Sequence, residues 1–84
     1  KIPKTVFNSC NLEEVDFTES SLQNADFDNS NLKGAIFEQT NLEKSDFRNA
    51  INFDINPEQN YLKGAKFSKQ NIVGLLSNYK IIIE

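Results

Sequence analysis

An all-β coil with four short sides per turn is the fold this sequence predicts, and three observations predict it. Residues 5–49 repeat every five residues without a break. Positions twenty apart carry matching large apolar side chains. From residue 50 the repeat loosens, and by residue 69 it has given way to helical spacing, as at the closed end of a solenoid.

Written in fives, residues 5–49 read TVFNS CNLEE VDFTE SSLQN ADFDN SNLKG AIFEQ TNLEK SDFRN. The third place is always large and apolar: Phe7, Leu12, Phe17, Leu22, Phe27, Leu32, Phe37, Leu42 and Phe47. The first place is small or β-branched: Thr5, Cys10, Val15, Ser20, Ala25, Ser30, Ala35, Thr40 and Ser45. A period of five fits neither an α-helix, at about 3.6 residues per turn, nor a flat strand, at about 2. It fits a chain that runs briefly extended, turns a corner and repeats. Four sides close a square coil of twenty residues, and stacked coils pair at the β spacing of about 4.8 Å. The large residue then points inward from mid-side, and the small one turns inward near the corner.

Stacking at twenty gives four walls. Phe7, Phe27, Phe47 and Phe67 form one, with Phe17 and Phe37 opposite. Leu22, Leu42 and Leu62 form a third, which Ile2 extends backward. Leu12, Leu32 and Ile72 form the fourth. The result is a dry, filled core, so these aromatics read as packing and not as a ligand platform. Apolar content of 38% is what a fold with two inward residues in five requires.

This pattern resembles the pentapeptide-repeat family, whose consensus is A-(D/N)-L-x-x. The resemblance implies a right-handed quadrilateral β-helix. It runs unbroken over residues 5–49 and returns at residues 60–72.

Residues 1–4 read as a lead-in without a polar cap, so further repeats are expected to precede Lys1. Second places often hold Asn or Asp: Asn11, Asp16, Asp26, Asn31, Asn41 and Asp46. A metal site would need acids converging on one point. These are spread around different faces and read as partners for corner amides, so no metal is expected. Residues 50–59 break the register, with Asn52 and Pro57 in third places. Ile51, Phe53 and Ile55 alternate there as in a strand, Phe53 replacing the missing Leu, and residues 56–59 form a protruding loop. Leu62 and Phe67 restore the coil. Ile72, Leu75, Leu76 and Tyr79 then fall at helical spacing over residues 69–79, with Ser68 as N-cap. Residues 80–84 form a short strand bearing Ile81, Ile82 and Ile83. The expected division is a β-helix over 1–72 and a C-terminal cap over 73–84.

That ending is similar to the C-terminal end of quinolone-resistance (Qnr-type) pentapeptide proteins. The similarity rests on Asn56-Pro57, the run from Leu62 through Gly64 to Lys66, the pair Leu75-Leu76 and the three isoleucines. It implies a symmetric homodimer through Leu75, Leu76, Tyr79, Ile81, Ile82 and Ile83.

Little chemistry is available. There is no His, the three glycines are isolated, and paired acids such as Glu13 and Glu14 lie on an exposed side. No enzyme activity, cofactor or small-molecule substrate is expected. Cys10 is the one cysteine and reads as a packing residue in a small inward slot. No apolar run could span a membrane, and no signal segment is present; a cytoplasmic location in a bacterium is expected. Residues 1–60 carry eleven acids and five bases, whereas residues 61–84 carry four lysines and one acid. Glu13, Glu14, Asp16 and Glu19 form the strongest acidic patch. An acidic rod could place carboxylates where duplex DNA has phosphates. The family resemblance extends that idea to binding DNA gyrase. Lys33, Lys44 and Arg48 interrupt the acidic faces, and the basic end is too small for direct nucleic-acid binding. The favoured expectation is a non-enzymatic, dimeric protein-interaction scaffold. The alternatives are a gyrase-directed DNA mimic and a purely structural piece of a larger repeat protein.

Overall fold

The computed structural model describes residues 5–76, 79, 81 and 82. The chain winds as a four-sided coil into a rod of 41 × 24 × 23 Å. No continuous strand forms among the described residues. Instead, eight isolated parallel bridges join second-place residues twenty apart, from Val6 with Asp26 to Asp46 with Lys66. Each side is too short to be more than one rung.

Three rails of backbone hydrogen bonds run up the stack, one of them from the fifth-place N–H at several corners to the fourth-place carbonyl one coil later, as from Ser9 to Asp28 (2.8 Å). The third-place N–H donates to the second-place carbonyl one coil later, as from Phe7 to Asp26 (2.7 Å) and from Phe27 to Asp46 (3.0 Å). The second-place N–H donates to the first-place carbonyl one coil earlier, as from Asp26 to Thr5 (2.8 Å). Corners are tight turns, such as that closed by Cys10 N–H on Phe7 O at 3.3 Å. At most corners the fifth residue has positive φ, as at Ser9, Glu14, Glu19, Asn24 and Asn29, the position where a type II turn requires it.

The second-place Asn and Asp side chains reach forward to the same corners. Asp16 Oδ1 accepts from Thr18 N–H at 2.9 Å, and Asp26, Asn31, Asn41 and Asp46 do likewise two residues on. These are Asx turns, which supply an acceptor to an N–H that faces no neighbouring coil. Buried first-place hydroxyls are also matched. Ser30 Oγ donates to Phe7 O, Thr40 Oγ1 to Phe17 O (2.7 Å) and Ser45 Oγ to Leu42 O (2.6 Å).

The core is a ladder of rings. Phe7, Phe27, Phe47 and Phe67 stack with centroids 4.5–5.3 Å apart, the spacing the coil imposes. Phe17 and Phe37 stack at 5.0 Å, and the two columns meet edge to face at about 6 Å. Leu22, Leu32 and Leu42 are buried between them, while Phe7, Leu12, Leu62 and Phe67 are partly buried toward the ends.

The C-terminal closure differs from the sequence expectation. Ile72, expected in the fourth wall, is 47% exposed. Phe53 and Ile55 are buried at this end instead, and the Phe53 ring sits 5.6 Å from both Phe47 and Phe67. Ile51 does not alternate with them: it points outward at the bridge to Asn31, because Asn52 takes φ 63° and breaks the strand periodicity. Residues 56–59 do not protrude freely. Pro57–Gln59 form a 3-10 turn capped by Asn56, and Gln59 O accepts from Gln39 N–H at 2.6 Å. The helix expected over 69–79 shortens to a 3-10 helix, Ile72–Leu75. Ser68 and Asn71 cap each other reciprocally in the turn before it. Ile81 and Ile82 join no bridge, so they form no strand; Ile2 and Ile83 lie outside the described residues.

Two asparagine side chains fasten the end of the coil, Asn60 in the place of the first-place hydroxyls and Asn71 in the place of a backbone rung. Asn60 Nδ2 donates to Phe37 O and Asn56 O, both at 2.9 Å, and its Oδ1 accepts from Thr40 N–H at 3.0 Å. Asn71 Nδ2 donates to Phe47 O (2.7 Å) and Ala50 O (3.1 Å). Gly74 lets the last turn lie on the core: its carbonyl accepts from Ile55 N–H at 2.9 Å. A methyl group there would stand 2.5 Å from both the Phe53 ring and Phe53 O. Phe27→Ala should therefore cost about 3–5 kcal/mol in urea unfolding, since the ring is fully buried between two stacked neighbours. Gly74→Ala should cost about 1–3 kcal/mol by overpacking. An unchanged Gly74→Ala midpoint would mean that the cap does not seat on Phe53.

Candidate functional site

Two regions gather exposed side chains of like character: the acidic turns at 13–19 and the C-terminal end. In the first, Glu13 and Glu14 occupy one corner and Asp16 and Glu19 the next side. Glu14 has φ 62° and lies over Gly34, where an added Cβ would come within 3.1 Å of Glu14 Cγ. The Asp16 carboxyl is held below the usual range, first by the Thr18 hydroxyl at 2.5 Å and then by the Thr18 N–H. All four acids are exposed. Among the described residues no group of three His, Cys, Asp or Glu is placed to hold a metal ion.

Stacking creates a longer acidic surface than the local patch suggests. Sides 15–19, 35–39 and 55–59 lie on one face of the rod. They carry Asp16, Glu19, Glu38 and Glu58 and no Lys or Arg. A shallow depression lined by Glu19, Gln39, Glu58 and Tyr61 runs along it. Glu38 and Glu58 were absent from the sequence-derived patch, although the twenty-residue offset places both above Thr18. On the Phe7 face the acids are interleaved with bases. Asp46 is bound by Arg48 Nε and Nη2 at 3.0 and 2.8 Å, and its carboxyl is lowered chiefly by that hydrogen bond.

At the C-terminal end Leu75 packs against the core and Leu76 is half-buried. Tyr79 is exposed, and its phenol is raised by a hydrogen bond with the Glu58 carboxylate. Ile72, Val73 and Ile81 are about half exposed, and Ile82 is 84% exposed. Cys10 is half-buried, its Sγ 3.6 Å from Asn8 O. No described helix is long and apolar enough to cross a membrane.

Comparison with known proteins bears on the coil. The model of a family described as pentapeptide repeats matches residues 10–49 in eight copies. No curated protein matches the chain. Among solved structures, a trypsin-treated form of QnrB1, a plasmid-mediated fluoroquinolone resistance protein, is 21% identical with a TM-score of 0.46, over 94% of this chain and 42% of that one. The chain thus spans about two fifths of the length of that structure.

Lowered folded-state carboxyls set a pH dependence. A depressed pKa contributes stability above the unfolded carboxyl value, about 4, and loses it as pH falls through the folded value. The melting temperature should therefore drop on acidification below about pH 4. Arg48→Gln should make that drop smaller, because the Asp46 carboxyl then titrates nearer its unfolded value. Identical acid profiles for the two proteins would remove Asp46 as a contributor.

Proposed function

Residues 10–49 are a pentapeptide-repeat array, and from that premise we propose that the chain is a non-enzymatic, rigid protein-interaction scaffold that pairs with a second copy through its C-terminal end. The observation that carries the proposal is the run of exposed apolar side chains at that end: Ile72, Val73, Tyr79, Ile81 and Ile82. Apolar residues gathered at one end of a small rod favour association. Rigidity follows from the rails, which tie rung to rung along the stack. Division of labour follows the chain: the coil over 1–72 presents faces, and 73–84 caps and pairs. The proposal keeps the cytoplasmic, bacterial setting and invokes no cofactor, membrane or nucleic acid.

A second reading is a DNA mimic directed at gyrase, and the base-free face of Asp16, Glu19, Glu38 and Glu58 favours it. Magnitudes weigh against it. Duplex DNA carries one charge per about 1.7 Å, or about 24 over the 41 Å length of this rod. This chain has 12 acids, 9 bases and a net charge of −3.

Ile82→Lys should shift the solution mass to that of a monomer while leaving the circular dichroism unchanged. Leu75→Lys is the poorer probe, because its core packing mixes unfolding with dissociation. A wild-type monomer, or an Ile82→Lys dimer, would sink the C-terminal pairing. Gyrase supercoiling in the presence of a quinolone should be unaffected by the protein under the scaffold reading. Recovery of supercoiling would put the mimic first.

A further inference from the structure

Two of the rails that bind one coil to the next, those of the third-place and second-place N–H groups, are interrupted together at one step within the stack. From Phe7 to Phe47 every third-place N–H donates to the coil above, except that of Phe37, which has no partner among the described residues. The reciprocal bond is missing too. Val15, Ser30, Thr40 and Ser45 carbonyls each accept from the coil above, whereas Ala35 O accepts nothing there. The bridge from Asp16 to Ile36 likewise has no continuation at Asn56. The cause lies in the sequence. Pro57 fills the third place, and the Asn56 carbonyl is drawn away to accept from Gln59 N–H and Asn60 Nδ2. A depression opens between Ile36 and Asn56, with Glu38 and Asp54 on its rim.

We propose that this gap receives an extended, lysine- or arginine-bearing peptide segment of a partner protein, added as the absent rung. Its carbonyl accepts from Phe37 N–H and its N–H donates to Ala35 O, the pairing every neighbouring side already makes. Charge selects the occupant. The face around the gap carries Asp16, Glu19, Glu38 and Glu58 without a base, which attracts a cationic segment and repels phosphate-bearing partners. Ile36, 43% exposed beside the gap, offers an apolar contact for the strand's own side chains. The inference rests on the scaffold reading and supplies the chemistry of its partner.

The test is amide-resolved NMR of the full chain, titrated to millimolar concentration with a short blocked peptide of alternating lysine and valine. Two controls accompany it: the same peptide N-methylated along its backbone, and a glutamate–valine peptide. The Phe37 amide should move downfield and exchange about tenfold more slowly with solvent. Both controls should leave it unmoved. Glu38→Lys, an exposed change, should weaken the lysine peptide about fivefold or more. An unmoved Phe37 amide would overturn the proposal. So would equal binding of the N-methylated peptide, which would reduce the effect to surface charge. The solution mass of the wild type and of Ile82→Lys does not depend on this peptide, so failure here and failure of C-terminal pairing are read separately.

Discussion

Closure of the coil at twenty residues is the constraint on which the rest of this structure depends. It brings every residue under the one twenty later, and so makes three rails of backbone hydrogen bonds possible without a continuous strand among the described residues. The same offset stacks ring on ring at 4.5–5.3 Å, which is close to the rung spacing itself. Packing and hydrogen bonding therefore reinforce one repeat distance. A side one residue longer would spoil both.

Small polar residues make that closure tolerable. Each corner turns sharply and leaves N–H groups that no neighbouring coil can reach. Asx side chains at the second place answer those groups, and hydroxyls at the first place bond the coil below. At the C-terminal end, where no further coil follows within the described residues, side-chain amides take over. Asn71 donates to carbonyls that another coil would have satisfied, and Asn60 does for Phe37 O what the first-place hydroxyls do lower in the stack. At the step above Ile36 neither rung nor side chain supplies a substitute, which leaves backbone polar groups facing a depression on the most acidic face.

Function in such a molecule resides in its outer faces and ends, because the interior is filled with stacked rings and leucines. The fourth- and fifth-place residues at the corners are largely free of structural duty and decide the charge of each face. The apolar surplus sits elsewhere, at the C-terminal end. The two kinds of surface are thus separated along the rod.

The sequence by itself determined the coil: its period, its four walls, and the inward place of Phe27, Leu32, Leu42 and Phe47. Those follow from strict local repetition, in which one side dictates the next. Tertiary structure alone decided how the coil ends. Ile72 has helical spacing and apolar character, yet Phe53 and Ile55 fill the end of the core and leave it half exposed. Gly74 looked like an isolated glycine until the close approach of Phe53 gave it a role. The candidate sites divide in the same way. Glu13, Glu14, Asp16 and Glu19 were legible as neighbours in sequence, but the face that joins Asp16 and Glu19 to Glu38 and Glu58 exists only through stacking. The gap above Ile36 was legible only as a register break at Pro57. Whether a neighbouring segment fills such a gap depends on where a distant carbonyl turns, and no local pattern carries that information.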